Sequence, residues 1–124
     1  MGQTLWVLPE GTENDDFDHS LILSVDERLD QLAVGLVLAP LTALLDYSVL
    51  AEEFGGPVEG NYLEALVASH HLDTLATAIR DGGQTPMSLD FDRHQELLAE
   101  LEDCIAKCRE AQKQGLRVRL AVIP

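Results

Sequence analysis

The two ends of the chain carry apolar patterns that are typical of β-strands. Thr4–Pro9 is a short apolar run that ends at Pro9 and Gly11, which favours a buried strand with Trp6 in the core. Over 116–123, apolar residues recur at every second position. This alternation predicts a strand whose inward face consists of Leu116, Val118, Leu120 and Val122.

Between the ends, apolar residues recur at helical spacing. A first helix is predicted over 25–33, where Ser24 and Glu27 fit a capping box, although it could begin near Ser20. Gly35 weakens its end. If this predicted start is wrong, the segment 21–25 is instead a candidate third strand. Pro40 is suited to open a short helix. This short helix would turn Leu41, Leu44 and Leu45 inward.

The second half of the chain is predicted to be mostly helical. Asn61 and Glu64 resemble a second capping box, followed by two apolar stripes that fit either two helices or one bent helix. The longest helix is predicted over 91–114, with Gly115 as its C-cap. The segment 47–54 fits either helix or loop. The two stripes contain Leu63, Leu66 and Val67, and then Leu72, Leu75, Ala76 and Ile79.

These elements define the predicted fold class. Terminal strands and several helices predict an α+β fold, a helix-rich single domain over residues 1–124 with a small sheet formed by the N- and C-terminal strands. Chain ends often lie close together, so the two strands are expected to pair. A chain of 124 residues is long enough to bury its own core.

Charge is the most unusual property of the sequence. It holds 22 acidic and 8 basic residues, a formal net charge of −14. Residues 1–64 contain 13 acidic side chains against Arg28 alone, whereas 65–124 contain nine acidic and seven basic ones. This field repels phosphate backbones, which argues against a nucleic-acid partner, and it attracts basic surfaces. Acidity that serves only solubility or salt adaptation is the open alternative.

The acidic residues are densest in the loop 10–18, which is expected to be solvated. Together with the start of the first helix, this loop is the predicted binding face for a basic partner. The predicted partner-binding residues are Glu13, Asp15, Asp16, Asp18, Asp26 and Asp30.

Candidate chemistry elsewhere is sparse. Two segments, 16–19 and 90–94, each place two aspartates and a histidine close together, which is a possible divalent-metal site. The simpler interpretation is an acidic loop and a helix N-terminus. Cys104 and Cys108 lie on one helical face and are expected to be buried thiols. No nucleotide, hydrolase or zinc motif is present, so no catalytic residue and no cofactor is predicted.

No signal-peptide pattern and no long apolar stretch is found, so we expect a cytoplasmic protein with no membrane partner. The opening residues 1–8, Leu29 with Asp30, and the closing residues 114–122 resemble small acidic bacterial proteins of no established function. This resemblance covers about a third of the chain and implies a bacterial origin. It brings no functional residue with it.

Three functions remain open on this basis. The first is an interaction module, such as an immunity or inhibitor protein that neutralises a basic partner, for example a toxin domain. The second is a structural subunit that self-associates into a homo-oligomer through the face of the 91–114 helix. The third is a divalent-metal-binding protein or enzyme that uses the aspartate and histidine clusters.

Overall fold

The computed structural model describes residues 3–53, 60–81 and 91–124. Its strands are β1 (Thr4–Pro9), β2 (Leu45–Asp46) and β3 (Val118–Ile123). Its helices are α1 (Ser20–Ser24), α2 (Asp26–Gly35), α3 (Ser48–Glu53), α4 (Ala65–Asp81) and α5 (Phe91–Lys113), and a 3-10 turn spans Leu41–Ala43. The predicted α+β class is confirmed.

The sheet has the order β1-β3-β2, so the C-terminal strand is central. β1 pairs with β3 in antiparallel register, with Val7 opposite Leu120, which confirms the predicted pairing of the chain ends. The third strand is the short β2, parallel to β3, and not the segment 21–25, which is helical. β3 is flanked on both edges, and its Val118, Leu120 and Val122 are completely buried.

The first helical region is divided at Val25. The predicted capping box does not form, because the Ser24 hydroxyl donates to the carbonyl oxygen of Leu21 at 2.7 Å. Val25 is buried, and the chain turns there so that α1 and α2 each direct an apolar face into the core. The helical region therefore begins at Ser20, which was the alternative start. It is interrupted at Val25, and the apolar pattern does not reveal this interruption.

The α4–α5 pair supplies most of the helical part of the core. α4 is one continuous helix of 17 residues, and its Leu72, Leu75, Ala76 and Ile79 are buried as predicted. The second capping box is wrong, because α4 begins at Ala65 and Leu63 instead forms a β-bridge with Val118. The buried face of α5 consists of Leu97, Leu98, Leu101, Cys104, Ile105 and Cys108.

The packing of α5 bears on the self-association hypothesis. The apolar face that would have served a second copy is already buried in the core. Both cysteines lie on this face as free, buried thiols, as predicted. No helix among the described residues combines the length and the apolar character needed to cross a membrane.

Glu100 of α5 holds the start of α1. Its side chain is buried, and its Oε1 accepts a hydrogen bond from the backbone N–H of Ile22 at 3.1 Å. A helix leaves its first N–H groups without partners in the helix, so this carboxylate caps α1 from another element. Burial raises the pKa of Glu100 above its usual range, which shows that the buried charge costs stability.

The substitution Glu100→Gln is expected to keep the hydrogen bond to Ile22 and to maintain or raise the free energy of unfolding at pH 7. Glu100→Ala leaves the Ile22 N–H without its acceptor and is expected to cost about 1–3 kcal/mol. Urea unfolding of both variants at pH 7 measures the difference.

The pH dependence of the free energy of unfolding provides the control for these two variants of Glu100. Because the pKa of Glu100 is raised in the folded state, its contribution to stability falls as pH rises above the usual glutamate value. The advantage of Glu100→Gln over the wild type should therefore disappear below about pH 4. An advantage that persists at low pH would contradict the assignment.

Candidate interaction surface

The acidic loop between β1 and α1 is bound to the protein rather than free in solvent. The side chain of Asp15 is completely buried. Its Oδ2 accepts from the backbone N–H of Val7 at 2.8 Å, and its Oδ1 contacts the Lys107 ammonium. Asp16 pairs with the same ammonium at 2.8 Å. The expectation that solvation would prevail in this loop is therefore wrong for Asp15.

His19 is the centre of this arrangement and is fully buried. Its Nδ1 lies 2.6 Å from the carbonyl oxygen of Leu5, and its Nε2 lies 2.6 Å from Oδ2 of Asp103. The carbonyl oxygen of Leu5 only accepts, so Nδ1 donates to it, and Nε2 shares a hydrogen bond with the carboxyl group of Asp103. The buried imidazole therefore bridges β1 and α5.

We name this group the His19 cluster; its members are Asp15, Asp16, His19, Asp103 and Lys107. Partial burial by itself would raise the pKa of Asp103, but hydrogen bonds from His19 and Lys107 outweigh that effect and lower it. Partial burial likewise opposes the charge of Lys107, yet hydrogen bonds to Asp15, Asp16 and Asp103 raise its pKa. The Lys107 ammonium thus binds all three carboxylates, and His19 bonds to one of them, Asp103.

The His19 cluster bears on the metal hypothesis. In segment 16–19, the side chains of Asp16, Asp18 and His19 bond to protein groups, and Asp18 accepts from the Trp6 indole N–H at 2.9 Å. Trp6 is consequently half-buried at the surface instead of lying in the core. Over the described ranges, no three potential ligands are grouped to hold a metal ion. In segment 90–94, Asp90 lies outside the described residues.

The cysteines are equally unsuited to nucleophilic chemistry. Burial raises the pKa of Cys108 to about 12, and burial together with the neighbouring Cys108 holds the pKa of Cys104 well above its usual value. A thiol must ionise to act as a nucleophile. These two side chains therefore contribute packing volume to the α5 face.

The two predicted residues on α2 differ in their contacts. Asp30 binds the 3-10 turn, since it accepts from the backbone N–H and the hydroxyl of Thr42 at 2.9 and 2.7 Å. Asp26 is half-buried at the start of α2 and makes no hydrogen bond or ion pair within the described part of the chain, and the same holds for the exposed Glu13. Of the six predicted partner-binding residues, only Glu13 and Asp26 therefore keep carboxylates without a partner in the described part of the chain.

A different surface, which the sequence did not indicate, lies where the end of α2 faces the start of α4. A groove of about 540 Å³ opens there, and its walls include Val37, Leu66, Val67 and His71. Val37 is 94% exposed, Leu66 60% and Val67 54%. The predicted inward stripe of Leu63, Leu66 and Val67 is thus wrong for Leu66 and Val67, which point outward.

Val37 has an uncommon backbone conformation, with φ at 61°. It ends α2 in a Schellman motif, in which the N–H of Leu38 donates to Ala33 and the N–H of Val37 donates to Val34. Glycine usually occupies this left-handed position, because a β-branched side chain there is strained. Gly35, the predicted helix end, is the last residue of α2.

His71 lines the same groove and is 5% exposed. Its Nε2 donates to the carbonyl oxygen of Ala39 at 2.7 Å, so in the neutral ring Nδ1 carries a lone pair. That Nδ1 has no hydrogen-bond partner among the described residues. The groove therefore combines exposed apolar side chains with one unsatisfied acceptor.

Neither protein-family models, nor curated proteins, nor solved structures show a match to this chain. The assignment of function consequently depends on the geometry described above.

We expect His19→Gln to lower the free energy of unfolding by about 1–3 kcal/mol, because glutamine cannot keep both hydrogen bonds of the fully buried ring, to Leu5 and to Asp103. Chemical denaturation at pH 7 measures the change. The exposed His70 provides the control: His70→Gln should change stability by less than about 0.5 kcal/mol. Equal effects of the two substitutions would show that the His19 cluster does not hold the loop.

Acid should abolish the contribution of the Asp103 carboxylate to the free energy of unfolding. Its pKa is lowered in the folded state, so its stabilisation is fully present above the usual aspartate value of 3.8 and is lost as pH falls through the lowered value. The difference in unfolding free energy between wild type and Asp103→Asn should be constant from pH 7 to about 5 and then shrink. A difference that is still constant at pH 2 would disprove the ionised pair.

Proposed function

We propose that this chain is an acidic protein-interaction module that binds a basic protein. An immunity or inhibitor protein that neutralises a basic toxin domain is the type of molecule that we have in mind. The observation that supports the proposal is that the few basic side chains are largely paired within the chain. Within the described part of the chain, at least five of the eight basic side chains form ion pairs with carboxylates of the same chain; they are Arg80, Lys107, Arg109, Arg117 and Arg119.

Internal pairing of cations leaves the excess of carboxylates uncompensated. The net charge is −14, and these ion pairs do not change it. The pairs do remove positive patches that would attract acidic molecules. A surface field of one sign accelerates encounter with oppositely charged proteins and disfavours like-charged ones.

The contacts described above narrow the predicted binding face. Asp15 and Asp16 are bound to Lys107, and Asp30 to Thr42, so these carboxylates would have to break internal contacts before they could bind a partner. Glu13 and Asp26 could bind a partner without breaking any internal contact. We therefore assign the direct electrostatic contribution to Glu13 and Asp26, and a long-range contribution to the remaining acidic side chains.

The test is a capture experiment on lysate of the source organism at low ionic strength, eluted with a salt gradient and read by mass spectrometry. We expect one basic protein to elute with salt, because screening weakens attraction between exposed charges. The captured protein is then purified, and its affinity for the chain is measured from 50 to 500 mM salt. If it is a toxin or enzyme, a stoichiometric amount of the chain should inhibit it.

Matched charge variants make the result specific. The double variant Glu13→Gln/Asp26→Asn should weaken binding more than Asp81→Asn/Glu110→Gln, which removes the same charge from the other part of the chain. Affinity that is independent of salt, or absence of any captured basic protein, would contradict the proposal.

A further inference from the structure

We propose that the acidic segment 13–18 is a strap that opens and closes as one unit while the rest of the protein stays folded, and that the Lys107 ammonium holds it closed. The structure described above is the closed form. Opening releases the carboxylates of Asp15 and Asp16 from Lys107. The contact with Lys107 is then autoinhibitory, because it competes with a basic partner for these carboxylates; this last step alone rests on the proposed function.

Both ends of the strap are fixed to the rest of the protein. Before its start, the N–H of Thr12 donates to the carbonyl oxygen of Pro9 at 2.9 Å and closes a turn at the end of β1. After its end, the N–H of His19 donates to the hydroxyl of Thr4 at 2.9 Å, and the His19 ring is fully buried. The segment between these two points can therefore move without displacing β1 or α1.

The strap contributes no side chain to the buried apolar core of the described residues, and its one apolar residue, Phe17, is half-exposed. Two N–H groups of β1 bind it. The backbone N–H of Val7 donates to Asp15 at 2.8 Å. The indole N–H of Trp6 donates to Asp18 at 2.9 Å. Water can replace these partners, and segments with few buried apolar contacts open at a lower free energy than the whole molecule.

The Lys107 ammonium supplies the remaining attachment. It contacts Asp15 and Asp16 of the strap, the latter at 2.8 Å, and it also binds Asp103 of its own helix at 2.9 Å. These carboxylates raise the pKa of Lys107 although burial opposes its charge. When the strap opens, Lys107 retains Asp103, so the open form does not leave the ammonium without a counter-charge.

Charge repulsion opposes closure of the strap. The strap carries four acidic residues and no basic one, while the rest of the chain has a net charge of −10. Like charges repel over about one Debye length, which is about 10 Å at 0.1 M salt. Closure therefore depends on the local attraction of one cation, and removal of the Lys107 charge should shift the equilibrium to the open form.

Opening changes which carboxylates a partner can reach. In the closed form Asp15 is completely buried, and Asp16, although exposed, is paired with Lys107. In the open form both carboxylates join that of Glu13 in solvent. A partner that binds these carboxylates selects the open form, and its apparent affinity falls in proportion to the fraction of molecules that are open.

The experiment is native-state hydrogen exchange of the whole protein, followed by NMR at low urea concentrations. The N–H of Val7 bonds to the strap, whereas that of the next residue, Leu8, points to the opposite edge of β1, toward β3. We expect the protection factor of Val7 to be at least about tenfold lower than that of Leu8 and independent of urea, because opening of the strap exposes little surface. Equal protection with the same urea dependence would overturn the inference.

A matched pair of variants tests the role of Lys107. Lys107→Met removes the ammonium but keeps an unbranched apolar side chain, and it should lower the protection of Val7 about tenfold more than that of Leu8. Lys113→Met removes the same charge from an exposed position on the same helix and should leave both amides unchanged. Equal effects of the two variants would overturn the assignment of Lys107.

An octalysine peptide is the probe for the autoinhibitory contact. Both variants have a net charge of −15, and only Lys107→Met frees Asp15 and Asp16. At low ionic strength, Lys107→Met should therefore bind the peptide about three- to tenfold more tightly than Lys113→Met.

The possible outcomes separate this inference from the proposed function. Equal affinities of the two variants for octalysine would overturn the autoinhibitory contact. The exchange of Val7 is measured without any ligand, so a lysate capture that yields no basic protein would contradict the proposed function alone.

Discussion

The structure depends on one buried side chain, the imidazole of His19. Its two ring nitrogens join the carbonyl oxygen of Leu5 in β1 to the carboxyl group of Asp103 in α5, two elements that are far apart in sequence. Asp15 binds the N–H of Val7 on the same strand, so the loop covers the outer edge of β1. An exposed strand edge would otherwise invite pairing with other chains, and the His19 cluster therefore both anchors the loop and closes the sheet.

The internal contacts of the acidic loop change the interpretation of the negative charge in the N-terminal half of the chain. Carboxylates that the sequence made available for a partner bind Lys107 and His19 instead, and only part of the predicted face remains unpaired. The proposed recognition of a basic partner therefore depends on the long-range field of the net charge more than on the carboxylates of this loop.

Periodic patterns in the sequence were sufficient for much of the fold. The strands at both ends and the helices α4 and α5 were predictable, because each turns one regular apolar stripe toward the core. Local capping signals were less reliable. The Ser24 hydroxyl bonds to the carbonyl oxygen of Leu21 in the preceding turn instead of capping a helix. Leu63, which lies within the second predicted box, instead forms a β-bridge with the distant Val118.

The sequence by itself determined the fold class, the central helices and the excess of negative charge, which are properties of composition and short-range spacing. Only the tertiary structure decided that Asp15 and His19 are buried, because their partner Lys107 or Asp103 lies more than 80 residues away. The same holds for the groove. Leu66 and Val67 follow a helical apolar pattern, and they are exposed because no described element packs over this face of α4, which a short-range pattern cannot reveal.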